Sequence, residues 1–329
     1  MDWTKLDWNA LERLREGFLQ GTAARGDYWQ ATTDLTNYDL TYGERIGWKW
    51  DAVLAELRVR GWAPPSQTVL DWGCGSGIAG RRVLRAFGVE RFTTLQVWDH
   101  SSLACDFSVE TARQKFPSLV VERFTPDKPV GTLVLSHVLN ELSPDAREEL
   151  LALARRADAV LWVEPGTREV SRALAALRDQ LRDGFDLIAP CTHANSCPLF
   201  EPKNERHWCH YFAPAPAGIY ADPNWVRFGQ KAGVDLRSLP YSVLVLEKKG
   251  LRPSSTSLPT DASRVIGRPR VHKAHTDLLS CDRTGLNELK LFRRTNPALT
   301  KQFEKKPPIP LYHWQRDGEK ITATETLFP

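Results

Sequence analysis

The sequence predicts an α/β protein: a largely parallel, Rossmann-like sheet covered by helices on both faces, with a helical segment before it and a small β extension after it. Three observations carry this. Between 68 and 182, short continuous apolar runs alternate with amphipathic stretches, as strands buried on both faces do. The first run ends in Asp71 and passes into Asp71-Trp72-Gly73-Cys74-Gly75-Ser76-Gly77, a glycine-dense strand-to-helix turn. The chain has 329 residues, 42% hydrophobic and 26% charged, so it can build a full core without using its six cysteines as staples.

Taken in order, residues 1–62 read as helical, with apolar residues at three- and four-residue spacing over 6–18 and 44–57. Six tryptophans fall there, Trp3, Trp8, Trp29, Trp48, Trp50 and Trp62, better explained as core between helices than as a base-stacking surface. A core spans 63–249. It has strands at 68–71, 94–99, 119–123, 132–136 and 159–163, helices at 78–87, 102–115 and 171–182, and a helix start at Ser143-Pro144-Asp145, where Ser caps and Pro opens the first turn. A cysteine-bearing loop, 189–216, interrupts this alternation, which resumes with a helix at 223–232 and a strand at 241–247. Residues 250–263 are rich in Ser and Pro and read as a linker. The basic C-terminal extension, 264–329, reads as strands at 264–279 and 286–293.

Composition narrows the function. No run of eighteen apolar residues exists, so no membrane span is expected. The start, Met1-Asp2-Trp3-Thr4-Lys5, is acidic and lacks a signal core, and the cysteines cluster as they do in reducing compartments, so a bacterial-type cytoplasmic location and a monomer are expected. Residues 251–329 hold 14 Lys/Arg against 8 Asp/Glu, a balance of +6, whereas the rest holds 30 against 32, or −2. That surplus suits a phosphate backbone.

The glycine turn brings backbone N–H groups to a helix N-terminus where a ligand can approach closely. Asp99, 28 residues after Asp71 and at the tip of the next strand, can accept both hydroxyls of a ribose. The stretch Gly75-Ser76-Gly77-Ile78-Ala79-Gly80 also fits the dinucleotide fingerprint. Asp71 directly before the glycines, and the lack of a second nucleotide-binding half, favour S-adenosylmethionine over NAD. Asp71, Gly73, Gly75, Gly77, Asp99 and Ser136, at the end of the fourth strand, are the candidate cofactor residues. Cys74 and Cys105 read as small buried side chains.

Cys191, Cys197 and Cys209 form a soft-ligand set whose spacings, six and twelve positions apart, suit zinc ribbons poorly. Three thiolates need a fourth ligand, and Cys281, His193, His207 and His210 are all open to that role.

These residues together resemble a known family. Asp71 to Gly77, then Leu161-Trp162-Val163-Glu164-Pro165-Gly166-Thr167, then Pro190-Cys191-Thr192-His193, Cys197-Pro198-Leu199 and Trp208-Cys209-His210 resemble the methyltransferase-like family of small ribosomal subunit proteins, the mitochondrial Rsm twenty-two type, over roughly 35–295. The resemblance implies a class I S-adenosylmethionine methyltransferase core and a [4Fe–4S] cluster, with zinc as the alternative. It also implies association with the small ribosomal subunit and its 16S-type rRNA. Carried over, Cys191, Cys197 and Cys209 match the loop ligands and Cys281 the fourth.

Catalysis is less legible. Amino-directed nucleic-acid methyltransferases place an Asn/Asp-Pro-Pro-aromatic motif after the fourth strand, where this chain has Ser136-His137-Val138-Leu139-Asn140. His137 is the only candidate base there. The expected function is a cofactor-binding, iron–sulfur-containing methyltransferase-like protein that binds or modifies small-subunit rRNA in ribosome assembly or translation. The competing reading is an active methyltransferase on a small molecule or protein, with a structural zinc.

Overall fold

A computed structural model describes residues 3–20, 29–253, 258–305 and 309–328. The chain forms two compact units, one of Met1–Ala55, Ala63–Glu164 and Ala213–Leu239, the other of Glu56–Trp62, Pro165–Phe212 and Pro240–Pro329. Among the described residues, no helix is long and apolar enough to cross a membrane.

The first unit opens with α1 (Trp8–Gln20) and α2 (Thr32–Tyr38), which runs through a π-helical turn (Asp39–Gly43) into α3 (Glu44–Val59). Then come β1 (Thr68–Trp72), α4 (Ile78–Phe87), β2 (Thr94–Trp98), α5 (Ser102–Lys115), β3 (Val120–Arg123), β4 (Thr132–Ser136), α6 (Pro144–Arg156) and β5 (Ala159–Pro165). The helix Pro223–Ala232, α8 in chain order, belongs here too. The five strands are parallel and ordered β3-β2-β1-β4-β5, the arrangement of a class I methyltransferase sheet. Val69, Leu70, Leu133, Val134, Val160 and Leu161 are buried, as strands covered on both faces require. Helix starts are fixed by side-chain caps: Ser101 accepts from Ala104 N, Ser143 from Ala146 N and Asp222 from Asn224 N, each contributing about 1 kcal/mol. Trp29, Trp48 and Trp50 are buried, which settles their role as core.

The strand order reverses at β1, whose neighbours are β2 on one side and β4 on the other. A crevice at such a switch point is where doubly wound sheets bind ligands. Here it is flanked by the glycine turn after β1 and by Ser136-His137 after β4.

The second unit contains α7 (Arg168–Leu181) and a short antiparallel set in which β8 (Pro240–Lys248) pairs with β6 (Phe185–Ala189) and β7 (Tyr211–Phe212). It also contains a closed five-stranded barrel: β9 (Ala262–Val271), β10 (His275–Asp282), β11 (Gly285–Phe292), α9 (Pro297–Lys305), β12 (Leu311–Asp317) and β13 (Lys320–Thr326), joined in the order β10-β11-β13-β12-β9. Val265, Leu278, Leu289, Leu291, Tyr312, Trp314 and Ile321 fill it, with Leu299 and Phe303 of α9.

The extension departs from the sequence reading. The run 264–279 is two strands, not one, because the chain folds back at 272–274, closed by His272 N donating to His275 O at 2.8 Å. Strands β6, β12 and β13 and helix α9 were not anticipated. The linker ends earlier, as β9 starts at Ala262, and 254–257 of it lie outside the described residues.

Candidate functional site

Two sites emerge, one in each unit. In the first, the turn after β1 is held by Gly73 N and Cys74 N, which donate to Trp98 O at 2.8 and 3.0 Å. Gly73, Gly75 and Gly77 all have positive φ (69°, 49° and 76°), where L side chains are strained. Their surroundings differ. A Cβ on Gly73 would meet Val138 Cγ1 at 2.6 Å, and one on Gly77 would meet Ser108 Oγ at 2.2 Å. On Gly75 it would meet nothing nearer than Trp29 at 3.9 Å, so the backbone there faces open space that a ligand can approach.

Asp71 lies beneath this turn. Its Oδ2 accepts the Gly80 N–H at 2.8 Å, fixing the start of α4, while Oδ1 has no hydrogen-bond partner among the described residues. Burial pushes its carboxyl up to about 7. Gly80 is required by this contact, since a Cβ there would lie 2.7 Å from Asp71 Oδ2. Asp99, just past β2, accepts from Gly75 N and Ser101 N, both at 2.9 Å. The turn and both acids thus gather at one end of the sheet. Cys74 and Cys105 are buried, and their thiols neighbour one another, an arrangement their 31-residue separation did not disclose.

Ser136 Oγ accepts from Trp50 Nε1 at 3.0 Å. His137 has a φ of 59°, and both ring nitrogens are engaged: Nε2 with Lys49 Nζ at 3.0 Å and Nδ1 with Ser136 Oγ at 3.5 Å. Burial, then the charges of Lys49 and Arg45, hold its imidazole well below the usual range. Burial likewise lowers the Lys49 ammonium to about 7. Sequence reading missed Lys49, Trp50, Glu141 and Glu164. Glu164, at the end of β5, accepts from Val138 N (3.0 Å), Leu139 N (3.1 Å) and Trp162 Nε1 (2.7 Å), so it holds the segment that follows β4. Its advance signals were an acid closing an apolar strand and its place in the Glu164-Pro165-Gly166-Thr167 segment of the family resemblance, neither of which gave it this role. Burial and the Asp99 charge raise Glu141 to about 7.

In the second unit, Cys191, Cys197, Cys209 and Cys281 line one cavity of about 400 Å³, its open mouth included. Leu199, Ile266 and Leu286 supply apolar wall, and Arg178 and Arg264 supply charge. The loop is organised from α7. Arg178, fully buried, donates to His193 O at 2.9 Å and Asn195 O at 2.6 Å, and Asp179 Oδ2 accepts from Cys197 N at 3.0 Å. Cys209 is fixed by its carbonyl, which accepts from Ser171 Oγ and from Ser242 Oγ at 2.9 Å, while its Sγ lies 3.2 Å from Tyr211 Oη. Cys281 arrives on β10, and Thr192 Oγ1 reaches its carbonyl at 3.5 Å. Arg264 pairs with Glu56.

Burial and neighbouring thiols raise Cys197, Cys209 and Cys281. Burial, then the neighbouring Cys191, pushes Cys197 up to about 11; burial pushes Cys209 up to about 12, and the other three cysteines add to the rise at Cys281. As thiols the side chains are neutral; ionised together, they would need a cation to offset their mutual repulsion. Among the described residues, the only group of three or more His, Cys, Asp or Glu ligand atoms all within 4.8 Å is His272, His275 and Asp277. Of the alternative histidines, His193 Nε2 lies 3.7 Å from Cys281 Sγ. His207 instead bonds Glu288 at 3.1 Å, and His210 stacks on Trp208.

Comparison with known proteins gives one family: the model described as mitochondrial small ribosomal subunit Rsm22 matches residues 51–301. No curated protein matches. Among solved structures, a candidate RNA methyltransferase from Pyrococcus horikoshii is similar at 13% identity, with 61% of this chain and 81% of that chain covered and a TM-score of 0.37. Magnesium protoporphyrin IX methyltransferase from Synechocystis, with bound S-adenosylhomocysteine, is similar at 14% identity over 74% and 100% of the two chains, with a TM-score of 0.37. TrmK of M. capricolum, also holding S-adenosylhomocysteine, is similar at 6% over 58% and 66%, with a TM-score of 0.32.

Proposed function

Because the chain belongs to the mitochondrial small ribosomal subunit Rsm22 family, we propose that it is an S-adenosylmethionine-binding, iron–sulfur-containing, methyltransferase-like protein that binds small-subunit rRNA during ribosome assembly or translation. The observation that carries this reading is the convergence of four cysteines, 90 positions apart in sequence at the extremes, on one cavity in the unit that also contains the basic barrel.

The cysteine cavity suits a [4Fe–4S] cluster, with zinc as the alternative. The donors are four thiols, and the wall mixes apolar side chains with two arginines that would offset the charge of four thiolate ligands. Cys191, Cys197, Cys209 and Cys281 would be the ligands, and the cluster would tie β10 to the loop that follows β6.

The glycine turn fits a nucleotide-bearing cofactor through the open approach at Gly75, with Asp99 poised beside it. When bound, S-adenosylmethionine supplies an electrophilic methyl group. The chain's residues orient such a cofactor better than they move a proton. His137 has no free ring nitrogen to receive one, and Lys49 is committed to His137. This favours a role as a cofactor-holding assembly factor over rapid turnover.

Metal and sulfide analysis of anaerobically purified protein tests the reading. The expected content is about four iron and four acid-labile sulfide per chain, with visible absorbance lost in Cys191→Ser. A colourless protein with one zinc per chain rejects the cluster. Failure to co-sediment with small ribosomal subunits rejects the ribosomal role.

A further inference from the structure

The C-terminal barrel contains a surface that the cysteine centre does not use. Counted from β9, its strands join in the order first-second-third-fifth-fourth-first, with β11 and β13 parallel and α9 between the third and fourth strands. That is the topology of an OB-fold, in which the face of the second and third strands and the loops after the first and fourth bind oligonucleotides. Part of this face, near Cys281 and Leu286, is covered by the cysteine loop: Asn195 Nδ2 reaches Arg283 O at 3.2 Å, and Arg206 pairs with Glu288. The other end is open.

At that open end the side chains form a ladder. His272 and His275 stack at 4.7 Å with planes 24° apart, His275 lies 5.9 Å from Phe292 directly across the β10–β11 pair, and Arg294 sits 5.7 Å over the Phe292 ring. Half of the His272 side chain is solvent-accessible, at 49%. Arg270, Lys273 and Arg294 are exposed beside the ladder and have no carboxylate partner among the described residues. Flat rings flanked by unpaired cations suit an unpaired nucleic-acid strand, which needs a stacking surface and neutralised phosphates.

We infer that His272, His275, Phe292 and Arg294 form a stacking platform for single-stranded RNA, with Arg270 and Lys273 binding its phosphates. The inference deepens the rRNA reading above and rests on it: the RNA met here is an unpaired segment and not a helix. The same two histidines with Asp277 could instead hold a divalent cation, since their ligand atoms lie within 4.8 Å of one another. Three unpaired cations alongside disfavour a dication and favour a polyanion.

The test uses full-length protein and a fluorescent, unstructured RNA of about 12 nucleotides, read by anisotropy against a duplex of equal length. The single strand should bind at least about tenfold more tightly. Phe292→Ala and Arg294→Ala should each weaken it about tenfold, and Phe292→Tyr should restore it. Arg294 is exposed, so its variant keeps the test decisive if Phe292→Ala misfolds. Equal or tighter duplex binding, or unchanged affinity in both variants, overturns the platform. So does stoichiometric zinc binding that Asp277→Asn abolishes. Co-sedimentation with small subunits separates the two levels: if it persists while single-strand binding is absent, the platform alone fails, and if both are absent the ribosomal reading fails.

Discussion

Glu164 holds a loop and carries a charge that the fold resists. Three N–H groups converge on one of its oxygens, the other has no partner, and burial lifts its carboxyl to about 7. Asp71 is lifted to the same value by the same cause. A folded pKa above the unfolded one means that the native state binds the proton more tightly. The contribution to stability is therefore full at acid pH and is lost as pH rises from the ordinary carboxylate range to about 7. Lys49 runs the other way. Its value is lowered to about 7, so its contribution is present above the ordinary lysine range and is lost as pH falls towards 7. Glu164→Gln keeps an acceptor for the three donors and removes the titration. Its melting temperature should vary less than wild type between about pH 4.5 and 7. An unchanged pH profile would show that Glu164 titrates alike in the folded and the unfolded chain.

Among the elements, the turn between β1 and α4 separates two uses of glycine. Gly77→Ala drives a Cβ into Ser108 and strains a φ of 76°, so it should destabilise the first unit by about 1–3 kcal/mol, measured by denaturant unfolding. Gly75→Ala meets no neighbour and should cost only about 1–2 kcal/mol in backbone strain, yet weaken S-adenosylmethionine at least about tenfold by calorimetry, because the methyl group stands where the ligand approaches. If Gly75→Ala binds like wild type, the pocket lies elsewhere. Helices Ile78–Phe87, Ser102–Lys115 and Pro223–Ala232 were legible to the residue: Gly77 and Gly88 bound the first, Ser101 caps the start of the second, and Asp222 and Gly233 bound the third. The barrel was not. Three of its five pairings are hairpins between consecutive strands, but the two that close it, β9 with β12 and β11 with β13, join non-consecutive segments and leave no local pattern to read. The Asp317-Gly318 pair between β12 and β13 was a hairpin signal passed over. The three loop cysteines were visible as a set. The choice of fourth ligand was not, because it depends on which strand of a barrel faces the loop; the same packing sends His207 and His210 to Glu288 and Trp208.

At the scale of the whole molecule, the two centres fall in different units: the glycine turn, Asp71 and Asp99 in one, and all four cavity cysteines in the other. If the proposed cluster is bound, its removal should therefore have a local effect. Oxidative destruction of the cluster should raise hydrogen exchange in 189–212 and in β10, while β1 and α4 stay protected, as read by mass spectrometry. Equal deprotection of both regions would mean that the units unfold together. Strand β10 gives this a wider meaning. His275, Asp277, Leu279 and Cys281 alternate onto the same side of it, and the six residue steps from His275 to Cys281 span about 20 Å. Both of its edges are bonded, to β9 and β11, so it behaves as a stiff spoke. If the cluster and the RNA platform proposed above both hold, they sit at opposite ends of one rigid strand, and loss of the first could act on the second only by moving β10 as a body.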